Sequence, residues 1–210
     1  MIFTLPPFSI HDFIYDFVVA IPAAIVIGAA VLGTKKLSNP WVNRKIIHLS
    51  ATPAILMYLC IFKEPYAFFV YSLILTVFLL IHHVKRSIMG WFQFEKNLGE
   101  VYFTLSFAIL SLIFWYVRNV GAAIMLFMAV GDAITGIVRS RVCKRRCKHW
   151  IGSLAMLVST VIIGYILIGS IGIILAVLAT LSERQRIIDD NISVPLISSI
   201  TYFVITLLGI

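Results

Sequence analysis

An all-α, polytopic transmembrane helix bundle of about eight spans (seven if residues 151–182 form one) is the fold class that the sequence predicts. Three observations carry it. The 210 residues are 61% hydrophobic and only 12% charged, against about 25% charged in an ordinary soluble domain, and the mean hydropathy is +1.03. The apolar residues fall in successive runs close to the roughly 20 residues that cross a bilayer as a helix. The Lys and Arg residues fall in alternate loops, which is the pattern that sets membrane orientation. These runs fill the chain, so residues 1–210 read as a single integral membrane domain with no soluble module beside it.

Residues 1–12 read as an interfacial lead-in, because Pro6 and Pro7 block a helix. The segment lacks the basic start and small-residue cleavage site of a signal peptide, so it reads as mature chain. Spans follow at about 13–33, 46–62 (with Pro53 a kink), 66–81, 100–117, 121–138 and 151–168. A Gly-Ser-Ile-Gly turn at 169–172 leads to a shorter span ending near Ser182, and a last span covers about 192–210. The loops 34–45, 82–99, 139–150 and 183–191 hold fifteen of the seventeen basic residues, and the other loops hold Lys63 and Arg118. The first set is therefore expected in the cytoplasm, with both termini outside. Reading 151–182 as one helix would move Arg184 and Arg186 outside and weaken the bias. Of the three cysteines, Cys60 lies in a span while Cys143 and Cys147 lie in a basic loop. All three read as free thiols, since the surrounding Lys and Arg oppose a metal held by the two loop cysteines and His149.

The acids locate the candidate chemistry. Asp132 lies in an otherwise apolar span, about two turns from its cytoplasmic end. A carboxylate there costs a few kcal/mol unless it is paired, hydrated or metal-bound. An ion pair with a neighbouring span, a metal ligand and a general base all remain open for it. Gly131, Ala133 and Gly136 beside it allow close approach of a helix or ligand. Six Lys and Arg residues and no acid follow over 139–148, and Gly152-Ser153 opens the next span. The loop sets topology at the lipid headgroups whatever else it does. Free backbone N–H groups at the start of the next helix favour a phosphate.

Three further stretches face the same side. Arg44 and His48 are four apart and share a helix face; His48 can be a proton acceptor, a phosphate donor or a packed polar residue. Glu100 opens a span, where the helix dipole favours a carboxylate, or it is aimed at a shared polar site. Asp189, Asp190 and Asn191 precede the last span. One of them suffices as a cap, and Pro195 fits the first turn. An oxygen-rich cluster of this kind suits Mg²⁺ shared with substrate phosphates, with Glu183 able to join it.

Together these stretches resemble the dolichol kinase, phytol kinase and CTP-dependent diacylglycerol kinase family of integral membrane enzymes, from about Arg44 to Pro195. Arg44-Lys45 with His48 is similar to the family's Arg-Lys-x-x-His opening, and Gly99-Glu100-Val101-Tyr102-Phe103 to its Gly-Glu-x-Tyr-Phe segment. Gly131-Asp132-Ala133 and then Lys148, Gly152 and Ser153 match parts of its nucleotide motif. Glu183 with Asp189-Asp190-Asn191 and Pro195 matches its last stretch. The chain departs from the family at Arg139 and Cys143, where Gly is usual, and at His149-Trp150-Ile151, where Thr-x-Glu is usual.

The resemblance implies transfer of a phosphoryl group from CTP to the hydroxyl of a membrane lipid, an isoprenoid alcohol before diacylglycerol, with Mg²⁺. It implies phosphate binding by Arg44, Lys45, Arg139, Arg141, Lys148, Gly152 and Ser153, and metal binding by Asp132 with Asp189 and Asp190. Asp132 or His48 would accept the proton, with Glu100, Glu183 and Asn191 in support. A phosphatidate cytidylyltransferase would need similar groups, and a non-catalytic membrane protein or carrier is the third reading. No nucleic-acid-binding module is expected, and the oligomeric state is open.

Overall fold

The computed structural model describes residues 5–143, 147–185 and 187–209. Lys144, Arg145, Arg146 and Arg186, four of the basic residues used to sort the loops, lie outside these. The described residues form helices and no strand: α1 (Ile10–Val19), α2 (Ile21–Gly33), α3 (Pro40–Leu49), α4 (Thr52–Cys60), α5 (Tyr66–Val84), α6 (Gly99–Ile113), α7 (Arg118–Leu126), α8 (Asp132–Val142), α9 (Trp150–Arg184) and α10 (Asp190–Leu208). Five stretches are long and apolar enough to cross a membrane: Ile10–Lys36, Tyr66–Val84, Trp115–Val142, Trp150–Arg184 and Asp190–Leu208.

Proline and the cap residues set most of the boundaries. The predicted first span is broken into α1 and α2 at Ala20, because Pro22 lacks the N–H that a continuous helix would need. The second predicted span starts earlier than the apolar run does. Asn39 caps α3 by accepting from the Trp41 and Val42 N–H groups, and Pro40 supplies the first helical residue. This helix breaks near Ser50-Ala51, just before Pro53. Pro195 lies inside α10, not in its first turn, because the helix already begins at Asp190 behind the Asp189 cap. A proline there leaves the Asn191 carbonyl without its helical donor. The Ser106 hydroxyl of α6 donates to that carbonyl at 2.8 Å and satisfies it.

The span carrying Asp132 is the centre of the bundle. Of its most apolar stretch 83% is buried, against 17 to 33% in the other four candidates. Those four turn Ile, Leu, Val and Phe outward, among them Ile25, Ile74, Ile166 and Ile200, as a lipid-facing surface requires. Between α7 and α8 the chain opens into a π turn over Phe127–Gly131, ending at Asp132. A widened turn of this kind displaces side chains locally and is frequent at functional sites.

The stretch Trp150–Arg184 is not straight. Ile168 and Gly169 leave helical geometry, Gly169 with φ +63°, a value that glycine adopts without strain. The limbs 150–167 and 170–184 fold back on each other. A Cβ on Gly164 would stand 2.5 Å from the Gly172 carbonyl oxygen, so the backbones touch there. Lys148 before the first limb is bonded to Glu183 at the end of the second. A straight 35-residue helix would hold those ends about 50 Å apart. The turn expected at 169–172 falls at Ile168–Gly169, with residues 170–172 already in the second limb.

Folding back brings the loops into two groups. The loops 34–45, 82–99, 139–150 and 183–191 gather at one end of the bundle, where all four supply residues to one cavity. At the other end the Asp16 carboxylate accepts from the Lys63 and Glu64 backbone N–H groups at 2.9–3.0 Å, and Arg118 donates to the Phe62 carbonyl at 2.9 Å. One cysteine expectation fails. Cys143 and Cys147 are joined as a disulfide, and Cys60 alone is free among the described residues.

Gly172→Leu should destabilise the protein by about 3 kcal/mol or more, because overpacking here presses on backbone that cannot rotate away. Gly33→Ala, where nothing lies within 4 Å of the added carbon, should leave stability near the parent value. Thermal unfolding of both variants in detergent checks this, and equal midpoints would refute the contact.

Candidate active site

The site is built on α3 and α8. Lys45 and His48 are three apart on α3, so they share a face, and both reach Asp132 at the head of α8. The Lys45 ammonium donates to Asp132 Oδ2, and His48 Nδ1 stands 3.2 Å from the same oxygen. All three side chains are at most 7% exposed. The ion pair anticipated for Asp132 is thus present, with Lys45 as its partner. Gly136, one turn after Asp132, makes it possible: a Cβ there would stand 2.6 Å from Lys45 Cγ and Cε. The lysine stem lies along α8 over that bare position.

His48 has a defined role in the pair. A carboxylate can only accept, so Nδ1 carries the proton and Nε2 is left with a free lone pair. Nε2 is buried and has no partner among the described residues. The ring stacks on Phe103 of α6 at 3.9 Å between centroids, which fixes its plane.

A second buried cluster joins the two ends of the α9 hairpin. Arg139 Nη1 and Nη2 donate to Glu183 at 2.6 and 3.1 Å. Nη2 also donates to the Ser153 hydroxyl at 2.9 Å, and Nε to the His149 carbonyl at 3.1 Å. Lys148 donates to Glu183 at 2.7 Å and lies 3.5 Å from Asp190. Gly152 is bare because a Cβ would meet Arg139 Cγ and Nε at 2.5 Å. Arg139, Gly152 and Ser153, expected around a phosphate, are here bonded or packed to one another. Arg139 occurs where the resembled family has Gly, and its guanidinium is spent on Glu183. Arg141 is exposed at the end of α8.

A third cluster surrounds Glu100. It accepts from Arg44 at 3.5 Å and from Gln93 at 3.2 Å, and His83 Nε2 lies 2.6 Å away. Glu100 is therefore held in a buried polar cluster and is more than a helix cap. Arg44 also donates to Asn97, and Asn97 donates to Asp189 at 3.1 Å. Asn97 thus joins the α3 cluster to the acids that precede α10. Sequence reasoning missed Asn97, His83 and Gln93. Asn97 stands two residues before the Gly99-Glu100 motif, and that proximity was its one signal.

Two cavities lie on either side of these residues, with no lining residue in common. The first, about 600 Å³, is polar and open at the loop end of the bundle. Lys45, Asp132, Arg139, Lys148, Asp189 and Asp190 line it, with the rings of Trp41 and Tyr102. The second, about 550 Å³, is almost wholly apolar and runs between α2, α4, α5 and α6. Its charged lining is Arg44 and Glu100, with His48 and Tyr71 as its other ionisable groups. Arg44, expected to bind phosphate, thus lines the apolar cavity and not the polar one. His48 belongs to the apolar cavity, while its partner Asp132 belongs to the polar one.

The acids suit a hard cation in part. Burial works against the Asp189 charge, but the Asn191 backbone N–H, the Arg44 charge and the Asn191 and Asn97 side chains outweigh it. They hold the Asp189 carboxyl below the ordinary carboxylate range, so it is ionised at neutral pH. Asp190 accepts from the Asn191 side chain at 3.4 Å. Among the described residues no three His, Cys, Asp or Glu side chains converge as a metal cage, and Asp132 is occupied by Lys45 and His48. The adjacent Asp189 and Asp190 carboxylates, on the wall of the polar cavity, fit Mg²⁺ of the kind held by one or two carboxylates and substrate phosphates.

No protein-family model matches the chain, and no solved structure does. The chain is similar to a probable chloroplastic phytol kinase of Triticum aestivum, 28% identical over 131 residues. The match covers 51% of this chain and 44% of that protein's length. The described helices, five stretches of which are long and apolar enough to cross a membrane, are consistent with a membrane helix bundle, and the likeness to the phytol kinase spans about half of this chain and less than half of that protein.

Proposed function

We propose that the chain is a kinase that phosphorylates the hydroxyl of a membrane lipid alcohol, preferring an isoprenoid, with CTP as donor and Mg²⁺ as cofactor. One observation carries the reading: a polar, acid-and-lysine-lined cavity and an apolar cavity lie on either side of the His48–Asp132 pair. A charged nucleotide then lies on the Asp132 side of the pair and an apolar alcohol on the His48 side. The relative named for phosphorylating phytol supports the reaction class. The concentration of basic residues in the loops at the site's end supports a cytoplasmic face for it, with both termini outside.

Phosphoryl transfer depends on positioning and charge neutralisation more than on covalent chemistry. Lys148 and Lys45 lie on the polar wall as phosphate donors, and the Trp41 and Tyr102 rings offer faces to a base. Asp189 and Asp190 would hold Mg²⁺, which supplies charge neutralisation on the phosphates of the donor. The alcohol hydroxyl lies at His48 Nε2. Its proton passes to that nitrogen as its oxygen bonds to the γ-phosphorus, the bond to the β-phosphate oxygen breaks, and CDP leaves. Asp132 holds the Nδ1 proton and stabilises the imidazolium that forms. Arg139, Glu183 and Ser153 position Lys148 and the start of α9, and Arg44, Glu100 and Asn97 position α3 against the acids.

His48→Asn keeps a donor near Asp132 but removes the Nε2 acceptor. It should lower kcat by about 10²–10⁴-fold with little change in nucleotide binding. Asp132→Asn should lose at least as much, since it removes both the orienting carboxylate and the partner of Lys45. Both are read with labelled CTP, Mg²⁺ and geranylgeraniol in vesicles. Full activity in either variant would refute the assignment. Release of pyrophosphate in place of CDP would move the reaction to cytidylyl transfer.

Arg139→Lys should keep the charge but lose the two-point bond to Glu183 and the bond to Ser153. It should lower stability by about 2 kcal/mol or more, with a smaller effect on kcat than His48→Asn. Unfolding midpoints beside initial rates separate the two effects, and a kcat loss equal to that of His48→Asn with unchanged stability would place Arg139 at the phosphates.

A further inference from the structure

Among the described residues, four cations line the polar cavity: Lys45, Lys96, Arg139 and Lys148. Three of them are committed to acids of the protein. Lys45 is bonded to Asp132, and Arg139 and Lys148 are bonded to Glu183. Lys96 is exposed and has no hydrogen-bond or ion-pair partner among the described residues. Most exposed lysines are simply solvated, but this one is carried to the cavity wall by a fixed turn. The Asn97 N–H donates to the Phe94 carbonyl at 3.0 Å, closing a four-residue turn with Glu95 and Lys96 at its centre. Arg44 holds both flanks of that turn. It donates to the Asn97 side-chain oxygen, and its guanidinium lies over the Phe94 ring, 5.9 Å from the centroid. The Asn97 side chain also donates to Asp189 at 3.1 Å. Of the two central residues, Lys96 lines the cavity and Glu95 does not.

We propose that Lys96 binds the phosphates of the donor nucleotide. This rests on the kinase reading and adds a substrate-binding residue to it. The charges of Lys45 and Lys148 are already shared with carboxylates, so each offers a phosphate only what its acid leaves. All three N–H groups of Lys96 are open to phosphate oxygens, and a bond from an ammonium to such an oxygen is charge-assisted. The turn that carries Lys96 is tied through Asn97 to Asp189, one of the two acids that suit Mg²⁺ shared with substrate phosphates. That bond puts the turn at the part of the cavity where the phosphates are expected.

The experiment measures binding of labelled CTP and of labelled cytidine to the full chain in vesicles, with Mg²⁺ and without acceptor. Lys96→Met should weaken CTP binding roughly tenfold or more, as loss of a hydrogen bond to a charged group does. Cytidine, which has no phosphate, should bind as it does to the parent. Lys96→Arg keeps the charge and should recover most of the CTP affinity. Lys85→Met removes an exposed lysine of the same loop that lines neither cavity, and it should bind CTP like the parent. All three variants should unfold near the parent midpoint, since both lysines are exposed. With geranylgeraniol added, KM for CTP in Lys96→Met should rise by the factor seen in binding. Unchanged CTP binding in Lys96→Met would overturn the proposal. So would an equal loss in Lys85→Met, which would make the effect one of overall charge, or an equal loss for cytidine, which would place the contact at the base or sugar. CTP binding that depends on Lys96 without phosphoryl transfer by the parent would sink the kinase reading and keep the phosphate contact. Transfer by the parent with KM unmoved in Lys96→Met would do the reverse, and a parent that binds no CTP would sink both.

Discussion

Asp132 is a carboxylate at the centre of a membrane helix bundle, and most of the architecture around it follows from neutralising it. A charge at that depth needs a partner, and Lys45 is the nearest. To deliver Lys45, α3 must bury Asn43, Arg44, Lys45 and His48 around much of its girth. To receive it, α8 must be bare at Gly136. The π turn before Asp132 sets where its carboxylate points relative to α3. One ion pair thus fixes the packing of two helices, and it leaves His48 beside the pair with one nitrogen engaged and the other free.

The other buried charges at this end hold neighbouring elements in the same way. Arg139, Lys148 and Glu183 fasten the two ends of the α9 hairpin to the end of α8. Arg44, Glu100, His83 and Gln93 fasten α3 to α5 and α6. Asn97 and Asp189 join that group to the start of α10. Buried ion pairs gain little net stability, because desolvation offsets their attraction, but breaking one leaves an uncompensated charge. An arrangement of the loops that separated these partners would carry that cost.

The fold was legible where the signal is local or cumulative. Apolar runs marked the helices, and the basic residues sorted the loops into the two groups that the helices bring together. The same count required a turn near Gly169, where the chain reverses. Asp132, His48, Lys45 and Glu183 stood out because acids and bases are costly beside apolar spans. Partners were not legible, since the pairs join residues far apart in sequence: Lys45 and Asp132 are 87 positions apart. Arg139 looked like a phosphate donor because its loop is basic, yet a helix-end carboxylate from α9 reaches it first. Pro195 looked like a first-turn residue because the acids before it could cap at several places. The Ser106 hydroxyl that permits it deeper in α10 lies on another helix.

Residue order along α3 separates the two cavities. Lys45 lines the polar cavity while Arg44 and His48 line the apolar one, so a single turn of helix lies between them. A side-chain pair that touches both cavities must sit in the wall between them. Asp132 touches the wall from the polar side and His48 from the apolar side, and the bond between them crosses it. Moving either residue by one position along its helix would turn it about 100° and break that crossing while leaving both cavities in place. The site therefore depends less on the number of charges gathered at this end than on the register of α3 against α8, which Lys45, Gly136 and Asp132 set together.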